Sequence, residues 1–157
     1  MRELVEAVAR VAELERRVAG MVRHGTVEQV DPAKGRVRLR LGETNGKPFL
    51  GPWVPYAQVA GALKVHTPPS VGQQMTLLSP TGDPRQAVAL PMTWSNQNAS
   101  PSQKGDEHVL TFGSCRIELR GNEIIVKVPR LFVECDGSTF ELTGGGLKMV
   151  APDYQFD

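Results

Sequence analysis

Residues 115 to 142 read CRIELRGNEIIVKVPRLFVECDGSTFEL, and this stretch decides the class of fold. Apolar and polar residues alternate along four short runs, which are separated at Gly121, Pro129 and Gly137. Because successive side chains of a strand point to opposite faces, this alternation predicts short β-strands. Each strand should have one apolar face and one face in water.

The same pattern continues on both sides, in HVLTF at 108–112 and LKMVA at 147–151. Strands that recur every 8 to 10 residues or so are typical of a repetitive β-structure, in which neighbouring repeats bury each other's faces. We therefore expect residues 108–157 to form one repetitive β-region.

No segment of the chain remains to cover the apolar faces of these strands, and uncovered apolar area costs roughly 25 cal/mol per Å². Three chains wrapped around one axis would bring the faces into a dry centre and pair every strand edge. A homotrimer is therefore predicted, and an Ig-like sandwich closed within one chain is the alternative. The predicted trimer interface consists of Ile117, Leu119, Ile124, Val126, Val128, Leu131, Val133, Phe140, Leu142, Leu147 and Met149.

Residues 24–94 carry the signals of a small antiparallel barrel. HGTVEQVD, RVRLRL and GPWVPYAQ predict three strands, and the prolines of the third favour a sheet edge. QQMTLLS and QAVALPM predict a hairpin joined by PTGDPR, which gives five strands in all. Five strands with frequent turns indicate an OB-like barrel. The polar residues 95–107 read as a linker.

The N-terminal residues 1–23 predict a helix, because only Gly20 interrupts a run of good helix formers. Apolar residues recur at intervals of three and four, as in a heptad seam. This seam would either pack on the same domain or associate with other copies and a hub protein. Its members are Leu4, Ala7, Val11, Leu14, Val18 and Met21.

The composition limits the classes of protein to which the chain can belong. The chain is 40% hydrophobic and 22% charged with a net charge of +1, which fits a globular protein without bulk attraction to nucleic acid. The first residues lack the apolar run of a signal peptide, and no window is apolar enough for a spanning helix. Cys115 and Cys135 sit in apolar alternations, so we expect packed free thiols and assembly in a reducing compartment.

The residues predict no catalytic site, no metal site and no cofactor. Arg36, Arg38 and Arg40 form a basic stripe, expected either in solvent or in ionic contact with a neighbour. A monomeric OB-fold module that binds nucleic acid or oligosaccharide is the alternative function. The carboxylates of Glu118 and Glu141, with that of Glu134, are expected to point outward into solvent.

Four ordered stretches resemble a known family. They are VRHGTVEQVDPAKGRVRLRL, PPSVGQQMTLLSPTGDPRQAVALP, SNQNASPS and VLTFGSCRIEL. Together they are similar to phage baseplate assembly protein V, the central spike of contractile tails, and to the spikes of phage-tail-like bacteriocins and type VI secretion. The resemblance runs from about residue 15 to about residue 145, and PSVG and SNQNASPS are its most specific parts.

The resemblance implies a mainly β fold: an N-terminal helix, an OB-fold barrel and a C-terminal trimeric triple-stranded β-helix, here short and blunt. It implies a structural, non-enzymatic homotrimer that plugs the tail tube, attaches to the hub and helps to pierce the host outer membrane. The location would be the centre of the tail baseplate of a virion, after assembly in the bacterial cytoplasm. No specific nucleic-acid partner is expected.

Longer members of this family carry a His-x-His motif that holds an axial iron ion, and this chain departs from that pattern. Its histidines, His24, His66 and His108, are widely separated. We therefore expect either a separate tip protein of the PAAR-repeat kind or a truncated chain. The predicted tip-docking residues are Leu147, Met149, Tyr154 and Phe156, and a frayed tail is the alternative for the last two.

Overall fold

The structure is a computed structural model that describes residues 1–153. It divides into two compact units, Met1–Ala99 and the residues from Ser100 onward. The first unit contains one helix and a five-stranded sheet, and the second contains two three-stranded sheets. The predicted mainly β fold with an N-terminal helix is confirmed.

Helix α1 spans Arg2–Met21 and passes through Gly20 without a break. Its C-cap, Val22, is already extended and is the first residue of strand β1. None of the residues of α1 is buried within the chain. In the part of the chain that the structure describes, no helix is both long and apolar enough to span a membrane.

The five predicted strands of the barrel are present. They are β1 (Val22–Asp31), β2 (Arg36–Thr44), β3 (Lys47–Pro55), β4 (Gln74–Leu78) and β5 (Val88–Pro91). They pair in the order β3-β2-β1-β4-β5, so the proline-containing β3 is an edge strand as predicted. Just beyond β3, a bridge between Tyr56 and Ala89 joins the two edges, and the Ala57 amide donates to the Ala89 carbonyl at 2.9 Å. The sheet therefore closes into a barrel.

The barrel core follows from the alternation of RVRLRL. Val37 and Leu39 are fully buried between arginines that point away from the core. Apolar residues from the other strands complete the core around them. These are Val27, Val54, Tyr56, Met75, Leu77, Ala87 and Ala89.

The second unit consists of two antiparallel meanders. The first C-terminal sheet contains β6 (Glu107–Phe112), β7 (Cys115–Arg120) and β8 (Glu123–Lys127). The second C-terminal sheet contains β9 (Arg130–Cys135), β10 (Ser138–Thr143) and β11 (Gly146–Val150). All six predicted strands are thus present, with positive φ angles at the turn residues Gly113 and Gly137. A single chain forms two open sheets, and a triple-stranded β-helix built from several copies stays a prediction.

Candidate assembly surfaces

One face of the first C-terminal sheet is apolar and uncovered. Ile117 lies opposite Leu110 and Val126, and Leu119 lies opposite Ile124. All five side chains are exposed in the single chain, Ile124 at 70%. Phe112, at the end of β6, is 90% exposed. Contiguous exposed apolar patches on soluble proteins commonly mark interaction sites.

The second C-terminal sheet has a face of the same kind. Phe140 lies opposite Val133 and Met149, and Leu142 lies opposite Leu131 and Leu147. Four of these side chains are exposed, whereas Phe140 and Leu131 are half-buried. The chain therefore carries two apolar faces, one on each C-terminal sheet, that nothing in the described part of the chain fully covers.

The structure brings the predicted interface residues together on these two faces. The first sheet holds Ile117, Leu119, Ile124 and Val126, and the second holds Leu131, Val133, Phe140, Leu142, Leu147 and Met149. Val128 lies in the link between β8 and β9 and is half-buried. Sequence reasoning missed Leu110 and Phe112, although the alternation within HVLTF marks both. The burial of these faces by other copies stays a prediction.

The predicted tip-docking residues fall into two groups. Leu147 and Met149 lie on β11 and are exposed. Tyr154 and Phe156 lie outside the described residues.

The opposite face of the first C-terminal sheet is polar and centres on Glu118. Its side chain is only 2% exposed and accepts hydrogen bonds from Arg116 Nε at 2.6 Å, Lys127 Nζ at 3.1 Å and Arg120 Nη2. The hydrogen bonds from Arg116 and Lys127, in that order, lower the pKa of Glu118 to about 2. The expectation that Glu118 is solvated is wrong, because three cationic side chains on the same sheet face bind its carboxylate and shield it from water.

Neighbouring residues extend this ionic network to the linker. Arg120 Nε contacts Glu107 Oε2 at 3.2 Å, and Glu107 Oε1 accepts from the Ser102 hydroxyl at 2.6 Å. The Ser102 hydrogen bond is the main reason why the pKa of Glu107 is lowered. Arg116 also donates to the Pro101 carbonyl at 3.0 Å. The polar face thus finds its partners within its own chain, whereas the apolar face does not.

The expected outward position of Glu141 is only partly met. Its carboxylate pairs with Arg130 Nε at 2.5 Å, and the side chain remains 27% exposed. Arg130 also lies over the ring of Phe132, 4.8 Å from its centroid. These contacts are on the face of the second C-terminal sheet opposite to Phe140, as the strand register requires.

Both cysteines lie on the apolar faces. Cys115 shares the face of Ile117, and Cys135 shares the face of Val133. Both are free thiols and are exposed in the single chain. Packed thiols were expected from the apolar alternation, and within one chain this expectation is wrong because the faces that carry the thiols have no cover.

Two sequence stretches that carry the resemblance meet in the first unit. Gly72 of PSVG has a φ of +86° and donates from its amide to the Val27 carbonyl at 2.8 Å. Its own carbonyl accepts from Asn98 Nδ2 of SNQNASPS at 3.1 Å. A Cβ on Gly72 would lie 3.0 Å from Gln97 Oε1, so a side chain would crowd this contact. The start of the linker is therefore fixed to the barrel.

The end of α1 packs against the loop of the β4–β5 hairpin. The Ser79 amide donates to the Met21 carbonyl at 2.8 Å. A Cβ on Gly20 would lie 3.1 Å from the carbonyl carbon of Gly82, and a Cβ on Gly82 would lie 2.7 Å from Arg17 Cα. Two glycines thus allow close backbone contact, which fixes the helix to the hairpin that PTGDPR closes.

The arginine stripe of β2 is largely engaged within the barrel. Arg38 Nε donates to the Gly51 carbonyl at 2.8 Å, and Arg40 Nη2 contacts Glu43 Oε2 at 2.6 Å. Two of the three guanidinium groups therefore already have partners in the chain. Within residues 1–153, no group of three His, Cys, Asp or Glu side chains is placed to hold a metal ion.

Comparison with known proteins finds two similarities, one for the barrel and one for a longer part of the chain. Residues 23–94 match the family model of the type VI secretion system/phage-baseplate injector OB domain. The chain is also similar to the spike protein of Escherichia phage P2, at 30% identity over 103 residues, which is 65% of this chain and 46% of that protein. The chain thus aligns with about half the length of this relative. The resemblance to baseplate spikes is confirmed.

Proposed function

Because residues 23–94 match the family model of the type VI secretion system/phage-baseplate injector OB domain, we propose that this chain is the central spike of a contractile-tail baseplate. The role is structural rather than catalytic. The OB barrel, together with two uncovered apolar sheet faces, is the observation that carries the proposal.

The proposed spike is a homotrimer. Each C-terminal sheet satisfies its polar face through ion pairs such as Arg120–Glu107, yet leaves its apolar face in water. Burial of that face is worth about 25 cal/mol per Å². Three copies around one axis bury the faces together and leave no free strand edge, which gives a triple-stranded β-helix the stiffness of closed backbone ladders. The triple-stranded β-helix is thus the arrangement that we propose for the C-terminal strands.

In the proposed baseplate, the barrel and α1 contact the hub and plug the end of the tail tube, and the C-terminal strands help to pierce the host outer membrane. A separate PAAR-like tip protein docks near Leu147 and Met149, which are exposed on β11, and near Tyr154 and Phe156. The protein is a component of the virion tail and assembles in the bacterial cytoplasm.

Immunogold labelling of intact particles tests this function. An antibody raised against the purified chain should label the end of the tail, on its axis, and label from a tail-fibre antibody should lie off the axis. Particles that carry no label at the tail end would contradict the proposal. A monomeric chain that binds oligonucleotides with strong salt dependence would favour the OB-fold module instead.

A further inference from the structure

Helix α1 carries an apolar seam that its own chain leaves bare. Leu4, Val11, Leu14 and Val18 are each more than half exposed, and no residue of the helix is buried. In heptad terms, Leu4, Val11 and Val18 occupy position a, and Leu14 occupies position d. Apolar side chains at positions a and d form the seam along which helices associate in a coiled coil.

The charges beside the seam divide into two groups. Glu6 pairs with Arg2 at 3.2 Å, and Glu13 pairs with Arg16 and Arg17 at 2.8 and 2.7 Å, all within the same helix. Among the ion pairs of residues 1–153, none involves Arg10 or Glu15. Arg10 occupies position g and Glu15 occupies position e of the next heptad. They are thus opposite charges that flank the bare seam without an intrachain ion pair.

In a parallel, in-register coiled coil, position g of one helix faces position e of the following heptad on the neighbouring helix, five residues further along. Arg10 and Glu15 have this separation. We propose that α1 associates with the same helix of two further copies, parallel and in register, and that Arg10 of each copy pairs with Glu15 of the next. This inference rests on the proposed trimer and adds the orientation and register of its N-terminal helices.

An antiparallel arrangement fits the same charges less well. In that case position g faces position g, so a pairing centred on Arg10 would place two arginines side by side. It would also conflict with a closed threefold axis, because cyclic symmetry makes all copies of α1 point the same way. The close contact of Gly20 with Gly82 ties each helix to its own barrel, so that the helices must follow the symmetry of the barrels.

The helix is short, and this sets the size of the effect. Its 20 residues span about 30 Å, or three heptads, which is marginal for an isolated coiled coil. We therefore expect the barrels and sheets to hold the trimer together when the seam is weakened. The readout must accordingly report on the helix itself rather than on the mass of the assembly.

Hydrogen exchange of the backbone amides of α1 in the 157-residue chain provides such a readout. Arg10→Glu and Glu15→Arg should each accelerate exchange in α1 roughly tenfold. Each variant removes three interchain ion pairs from the trimer, and the loss of each pair accelerates exchange about twofold. The double swap R10E/E15R should restore the exchange rate, because it regenerates three opposite-charge pairs. Arg2→Glu reverses a charge at position f, away from the seam, and should change the rate less than about twofold.

The outcomes separate this inference from the proposed trimer. A trimer by sedimentation in which both single reversals leave the exchange of α1 unchanged would overturn the register but not the spike. Failure of the double swap R10E/E15R to restore protection would also overturn the register. Any effect of the single variants would then arise within each helix rather than from ion pairs between copies. A folded single-chain species would overturn the trimer itself.

Discussion

Replacement of Gly20 by alanine gives opposite expectations from helix propensity and from the structure. In the interior of an ordinary helix, Gly→Ala stabilises by roughly 0.5–1 kcal/mol. Here the new Cβ would lie 3.1 Å from the carbonyl carbon of Gly82 and closer still to its oxygen. Both partners are backbone atoms, so no side-chain rotation can relieve the collision.

The magnitude follows from what must move. Separation of the helix end from the hairpin loop loosens the Ser79–Met21 hydrogen bond of 2.8 Å, worth about 1 kcal/mol. Overpacking at a close contact costs typically 1–3 kcal/mol. We therefore expect Gly20→Ala to destabilise the chain by about 1–3 kcal/mol in spite of the better helix former.

The assay is urea denaturation at one fixed chain concentration, followed by tryptophan fluorescence, with the midpoint compared at constant slope. The other side of the contact is tested by Gly82→Ala, and Gly35→Ala is its matched control. Both of these glycines have a positive φ, but a Cβ on Gly35 meets nothing within 4 Å. The control should cost only the left-handed backbone penalty of about 1 kcal/mol, and Gly82→Ala should cost clearly more. A midpoint that rises or stays unchanged in Gly20→Ala would refute the close contact.

Three further predictions concern the second unit and the linker. The pKa of Glu118 is lowered in the folded chain from its ordinary value of 4.5 to about 2, so its ion pairs stabilise the fold fully above pH 4.5, and this contribution is lost as the pH falls towards 2. Thermal melts across this range should show the loss in the wild type and not in Glu118→Gln, and parallel profiles would contradict it. Ile124→Asp places a charge on the apolar face and should cost at least about 3 kcal/mol per chain in the trimer, so that the trimer dissociates in sedimentation velocity. Thr111→Asp, on the opposite face, should leave the trimer intact. Equal behaviour of the two variants would count against a buried apolar face. Asn98→Ala removes the hydrogen bond to the PSVG turn and should lower the free energy of unfolding by about 1 kcal/mol in urea denaturation. The control Asn96→Ala should unfold at nearly the wild-type midpoint. An equal loss of stability in both variants would contradict a specific contact.

The alternation of apolar and polar residues was sufficient to predict the strands and the faces on which their side chains lie. Val37 and Leu39 are buried as their alternation with arginine requires. Ile117 and Ile124 lie on one apolar face for the same reason. Periodicity works here because it depends only on the geometry of a strand, not on which strands pair.

Features that depend on pairing could not be predicted in this way. Glu118 was expected in solvent. Arg116 lies two positions away on the same strand face, and the pairing of β7 with β8 adds Lys127, which lies opposite Arg116, so that the carboxylate is buried. The contact between Gly20 and Gly82 joins two segments that are 62 positions apart, and neither glycine signals the other. The repeat period likewise indicates a repetitive β-structure without deciding whether its neighbours come from the same chain or from other copies.

Sedimentation equilibrium of the purified chain at micromolar concentration tests most directly whether sister copies cover the apolar faces of the C-terminal sheets. We expect one species at three times the chain mass of 17.1 kDa, with no folded single chain at the lowest concentration examined. A folded species of 17.1 kDa, with strand content intact by circular dichroism, would contradict this expectation.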